Sequence, residues 1–219
     1  MNSQCASHHL AAALAAALTL CLAGGVHAAP SPAATGPESP AARASDARGD
    51  MIAVLSANGP HPSLGRQADL FGRFAGTWDC DYSFIAADGS VRRSRGELLF
   101  GWILDGRALQ DIWIGYPKAG SGDERTIGTS VRFVDPKSGK WKVVFVAPGS
   151  DFVIQVEGGA EEDRIVLRGV DGDGAAVRWS FNDILPDSFV WRGETSRDGS
   201  KTWRLEEEHQ MRRRTSPGH

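Results

Sequence analysis

From Gly76 to Arg213 apolar side chains recur at every second position in short runs, each closed by a cluster of Gly, Asp, Pro or Ser. A period of two belongs to a strand with one buried face, whereas an amphipathic helix repeats at three and four. Ten runs fit: Gly76 to Ile85, Val91 to Leu104, Arg107 to Tyr116, Ile127 to Val134, Trp141 to Val146, Phe152 to Glu157, Arg164 to Arg168, Val177 to Ile184, Ser188 to Thr195 and Thr202 to Arg213. Between them, Ala87-Asp88-Gly89-Ser90, Asp105-Gly106, Asp135 to Gly139, Gly158-Gly159, Asp171 to Gly174, Leu185-Pro186-Asp187 and Asp198-Gly199 read as hairpin turns. Such short connections join antiparallel neighbours, so the sheet is a meander. Left open it would carry two long unpaired edges, and closure removes both; a β-sandwich needs a long crossover, and only Pro117 to Arg125 comes near one. The predicted fold is all-β, an antiparallel up-and-down barrel of about ten strands. Ahead of it, Ser63 followed by Leu64, Leu70, Phe71 and Phe74 predicts a short capping helix, with Ser63 as N-cap and Gly76 past its end.

The first 62 residues have a different texture. Leu10 to Leu22 is an uncharged Ala/Leu run, short for a membrane span, followed by Gly24, Gly25 and Val26-His27-Ala28. That is the pattern of a secretory signal peptide cleaved after Ala28. Lipidation at Cys21 is disfavoured because Leu20 stands where lipoprotein signals carry a small residue. Residues 29–62 are rich in Ala, Pro, Ser and Gly and read as a disordered tether with a short helical turn at 50–57. The expected organisation is a signal peptide at 1–28, a tether at 29–62, a barrel at 63–214 and a tail at 215–219. The expected location is periplasmic or secreted, with no transmembrane segment. Export would leave Cys80 as the only cysteine, and its parity with Trp78, Tyr82 and Phe84 makes it a buried small hydrophobe.

Composition narrows the chemistry. The chain has 219 residues, 41% hydrophobic and 23% charged, with a formal net charge of −3, so it is globular and lacks the basic footprint of a nucleic-acid partner. After export only His61, His209 and His219 would remain, too few and too scattered for a zinc cluster. No Gly-x-Ser-x-Gly elbow, phosphate loop or dinucleotide fingerprint occurs. No cofactor and no metal are expected.

Gly76-Thr77-Trp78 resembles the Gly-x-Trp motif that opens lipocalin-type (calycin) barrels, and Arg212 to Arg214 fall where those barrels set a basic residue against the Trp. The stretches Gly101 to Trp113 and Trp191 to Trp203 resemble a bacterial family of lipocalin-like domains of unknown function. The resemblance spans residues 70–214 and implies the fold, not a chemistry. Ser196-x-Asp198-x-Ser200-x-Thr202-Trp203 resembles the Asp-box of sialidase propellers, but a single copy with Ser200 in place of the usual Gly reads as a hairpin turn.

In such a meander the first strand rises from the helix-capped end, so Pro117 to Arg125 and the turns near 88, 149, 173 and 198 crown the mouth. Parity sets Trp78, Cys80, Tyr82 and Phe84 on one face of the first strand, and Trp203, Leu205, Glu207, His209, Met211 and Arg213 on one face of the last. His209 is either a hydrogen-bonding group in the cavity or, by likeness to nitrobindin-like barrels, an axial haem ligand; a structural histidine paired with Glu207 is the simpler reading. Asp111 with Arg192 or Glu194 forms a second polar set. The candidate ligand-binding residues are Tyr82, Trp113, Asp111, Arg192, Glu207 and His209, with Trp78 and Arg213 structural. All seven Trp fall in predicted strands, and a Trp-rich wall suits a small, flat, apolar or aromatic ligand. The leading expectation is an exported barrel binding a small apolar molecule in its interior. Two others stand beside it: an enzyme using Glu207, Asp111 or His209 as acid or base, and a solid barrel that works through its surface.

Overall fold

The computed structural model describes residues 48–215; the expected signal peptide, most of the tether and the last four residues lie outside the described residues. Ten strands follow one another: β1 (Gly76–Ile85), β2 (Val91–Ile103), β3 (Ala108–Tyr116), β4 (Thr126–Val134), β5 (Trp141–Ala147), β6 (Phe152–Glu161), β7 (Arg164–Val170), β8 (Ala176–Asn182), β9 (Ser188–Ser196) and β10 (Arg204–Arg213). Each pairs antiparallel with the next, and β10 pairs with β1, so the sheet is a closed lipocalin-like up-and-down barrel. No helix among the described residues is long and apolar enough to cross a membrane.

Four local expectations are corrected. Gly158-Gly159 is no turn: both lie inside β6, and the chain reverses at Glu162-Asp163, where Glu162 supplies the positive φ of 57°. The capping segment is a 3-10 turn (Pro62–Gln67) and a helix (Ala68–Gly72) in place of one helix, and its cap is His61, whose Nδ1 accepts from Ser63 N–H. Part of the expected tether is engaged: Ala57 N–H donates to the Trp102 carbonyl and His61 N–H to the Gly106 carbonyl, pinning residues 57–61 to the β2–β3 turn, while the short helix lies at 48–54. Finally, Trp203 precedes β10 and stands outside the barrel, its ring under the Arg178 guanidinium, 4.3 Å to the centroid.

The Trp203 correction has a physical cause. A β-bulge between Leu205 and Glu207 inserts one residue into β10, so Leu205 opposes Glu194 on the outer wall while Glu207 opposes Gly193 on the inner one. Parity from Glu207 to Arg213 is unaffected, and these inward positions stand as the sequence predicts.

The helix-capped end is plugged. Phe71 and Phe74, both fully buried, enter the barrel from Ala68–Gly72 and the turn after it. Phe71 meets Trp141 edge-on at 5.1 Å and Phe181 at 5.5 Å; Phe74 meets Phe189 at 4.7 Å and Trp78 at 6.2 Å. Burying a Phe contributes about 1.5–3 kcal/mol, so the plug fastens this end. Trp78 Nε1 donates to the Phe74 carbonyl at 2.7 Å, tying the first strand to it. At the seam Trp78 faces Arg213 directly, and the guanidinium lies over the indole at 4.1 Å. Arg213 also donates to the carbonyls of Arg73 and Ala75 behind the plug and to that of Pro186 in the β8–β9 loop. Trp78→Ala should cost about 3–5 kcal/mol and Arg213→Ala about 2–3 kcal/mol, with Arg213→Lys recovering only part because an ammonium cannot fork across three carbonyls. Thermal unfolding of the three variants measures this order.

Candidate functional site

The interior falls into two halves. Below, around the plug, Trp78, Leu98, Phe100, Leu109, Trp141, Val143 and Phe181 are buried and fill the barrel. Above, towards the mouth, Phe84, Trp113, Phe145 and Trp179 are only partly buried and stand around the buried Tyr82, Trp191 and His209. The rings form a continuous wall: Trp113 to Trp191 at 5.5 Å, Trp191 to Trp179 at 5.7 Å, Trp179 to Phe145 at 5.9 Å. Small residues keep them against the wall. A Cβ at Gly128 would stand 2.6 Å from the Phe145 ring, and one at Gly193 would stand 2.9 Å from the Trp191 ring. Either would drive a ring into the lumen.

His209 sits at the base of this cup, 2% exposed, stacked on Trp191 at 5.0 Å and 14° and edge-on to Tyr82 at 4.9 Å. Ser83 N–H donates to its Nδ1 at 3.4 Å, which leaves the Nε2 proton for the Glu207 carboxylate at 3.0 Å. Both ring nitrogens are thereby engaged, in the structural pairing with Glu207 that the sequence suggests. The Glu207 side chain is 40% exposed and faces the cup. Tyr82 donates its hydroxyl to the carbonyls of Glu97 and Ile114, and burial pushes its pKa well above the phenol range. Cys80 is buried beside it, its thiol pushed up to about 12 by burial, so it is inert as a nucleophile.

The sequence thus brings together Tyr82, Trp113, Glu207 and His209, but not the other two candidates. Arg192 is on the outer wall, bound through Nε to Glu208 at 2.8 Å. Strand alternation puts it opposite to its neighbour Trp191, which faces in. Asp111 is fully buried one inward position below Trp113, and its partner is neither Arg192 nor Glu194 but Arg132. Glu194 instead pairs with Arg178 on the outer wall at 2.7 Å.

Sequence reasoning missed Arg132. Its guanidinium, 3% exposed, donates through Nη2 to Asp111 and lies over the rings of Phe71 at 4.8 Å and Phe100 at 5.0 Å. The second Asp111 oxygen accepts from Ser130 N–H at 3.1 Å. Arg132 Nε and Nη1 find no acceptor among the described residues, so aromatic faces replace the remaining hydrogen bonds. Burial pushes the Asp111 carboxyl up from its ordinary range, opposed by the charge of Arg132, and pushes the Arg132 pKa down, opposed by Asp111. This pair forms the floor between plug and cup. No group of three or more His, Cys, Asp or Glu suited to a metal ion occurs among the described residues.

No family model and no curated protein matches the chain. Solved structures do. Rv2717c from M. tuberculosis is 15% identical, over 71% of this chain and 99% of that one, with a TM-score of 0.51. The S-type phycobiliprotein lyase CPES from Guillardia theta is 14% identical over 67% and 91%, with a TM-score of 0.48. A de novo designed fluorescence-activating β barrel is 18% identical over 65% and 95%, with a TM-score of 0.33. At such identities the likeness to Rv2717c is one of fold.

Removing one member of the buried pair should be worse than removing both. Arg132→Met strands the Asp111 charge and should cost about 3–5 kcal/mol, whereas Asp111→Asn combined with Arg132→Met should recover a substantial part. Urea unfolding of the single and double variants reads the difference.

Proposed function

We propose that the protein is an exported barrel whose mouth cup binds a small, largely apolar or aromatic molecule. The observation that carries this reading is the contrast between the two halves: the lower half is filled, while Phe84, Trp113, Phe145 and Trp179 are only partly buried towards the mouth. Covering that surface releases its hydration at about 25 cal/mol per Å², and indole faces favour flat partners. The filled lower half confines the ligand to the mouth. Export is supported by the signal-like segment at 1–28.

Two measurements test this. A neutral aromatic probe, phenylnaphthylamine, should bind one to one and quench tryptophan fluorescence; Trp179→Ala should weaken it about tenfold or more, whereas Trp203→Ala, on the outer wall, should leave it unchanged. Binding that is equally insensitive to both substitutions would refute the cup. For export, N-terminal sequencing of the protein recovered from outside the cytoplasm should begin at or near Ala29.

A further inference from the structure

The cup has a charge as well as a shape. Glu207 presents a carboxylate to it that is 40% exposed and bonded only to the His209 Nε2–H, with no lysine or arginine in contact among the described residues. Glu206, brought to the rim by the β10 bulge, accepts from Thr195 Oγ1 at 2.6 Å and is paired with Arg204. Arg92 directly opposes Phe84 and so shares its inward face, with the guanidinium over the ring at 4.1 Å. Phe84 is opposed by Arg92 on β2 and by Glu207 on β10. Arg92 and Glu207 thus flank Phe84 on the inward face, and no ion pair forms between them.

We infer that the cup selects a flat organic cation, a protonated or quaternary nitrogen on an aromatic body, with the nitrogen against Glu207 and the ring among Trp113, Trp179 and Trp191. The inference rests on the cup being a ligand site and adds the ligand's charge to it. Three features act in one direction. The carboxylate lacks a cationic partner, and a buried or half-buried charge gains most from a partner that comes with the ligand. The indole faces of Trp113, Trp179 and Trp191 carry negative quadrupole density, which attracts cations and repels anions. The imidazole that contacts Glu207 donates from Nε2 while Nδ1 accepts from Ser83, so in this arrangement it is neutral and leaves the carboxylate's charge intact.

The experiment uses three aromatic probes of comparable size against the full-length protein: cationic thioflavin T, neutral phenylnaphthylamine and anionic anilinonaphthalene sulfonate. The cation should bind about tenfold or more tightly than the anion at low salt, and added salt should narrow the gap. Glu207→Gln should abolish the cation's advantage while the neutral probe still binds, which reports that the cup is intact. An anion that binds as well as the cation, or a preference that survives Glu207→Gln, overturns the inference while leaving the cup standing. If none of the three probes binds, the cup reading itself fails, and the inference with it.

Discussion

Closure of the sheet is the constraint on which the other features rest, and it is made at one seam. A meander of ten strands has two free edges until β1 meets β10, and the register of that meeting decides which side chains face inward. Trp78 opposite Arg213 sets the register at the capped end, and the guanidinium's carbonyl partners bind the seam to the plug behind it and to the β8–β9 loop. On the outer wall the same seam is bridged by Arg212 to Asp81 and by Arg214 to Asp79 and Glu97, pairs whose exposure makes each worth little alone. The burial of Trp78 and the plug rings supplies the energy, and the charged groups supply the alignment.

The Asp111–Arg132 pair belongs to the same logic of alignment. Two charges taken wholly out of water regain their desolvation cost only when geometry is favourable, so a buried ion pair is weak support for stability and better support for uniqueness. Here it links β3 to β4, with Ser130 N–H as a further anchor on the carboxylate. A one-residue slip between these strands would turn Arg132 outward and leave Asp111 buried alone. The pair thus penalises misregister at the level where the filled half gives way to the cup.

Much of the architecture was legible in the sequence, because period-two patterning survives in most strands. β1 runs from Gly76 to Ile85 as its pattern indicates, and the inward set Trp78, Cys80, Tyr82 is buried. β4 departs from its pattern. Its apolar residues Ile127, Val131 and Phe133 share one parity and suggest the inward face, yet Ile127 and Phe133 are 43% and 40% exposed. Gly128, Ser130 and Arg132 face inward instead, because pairing with β3 and β5 fixes the register and space beside Phe145 demands a glycine. Local hydrophobicity was overruled by neighbours distant in sequence. The only sequence signal for Arg132 was the carboxylate at Asp111, which needs a cation once it is placed inside.

The bulge in β10 connects this limit of sequence reading to the site. Bulges cluster at barrel rims and beside sites because they re-aim side chains without disturbing the rest of the strand. With strict alternation through Trp203, Leu205 and Glu207, the rim would present aliphatic and indole surface and Glu206 would lie outside. The extra residue reverses that: Leu205 opposes Glu194 on the outer wall, Trp203 lies against Arg178, and Glu206 reaches the inward-facing Thr195. From Glu207 onward the alternation set at the seam resumes, so His209 and Glu207 keep the positions that Trp78 and Arg213 dictate. The polarity of the mouth is therefore set by a local insertion, while its position is set by closure at the opposite end.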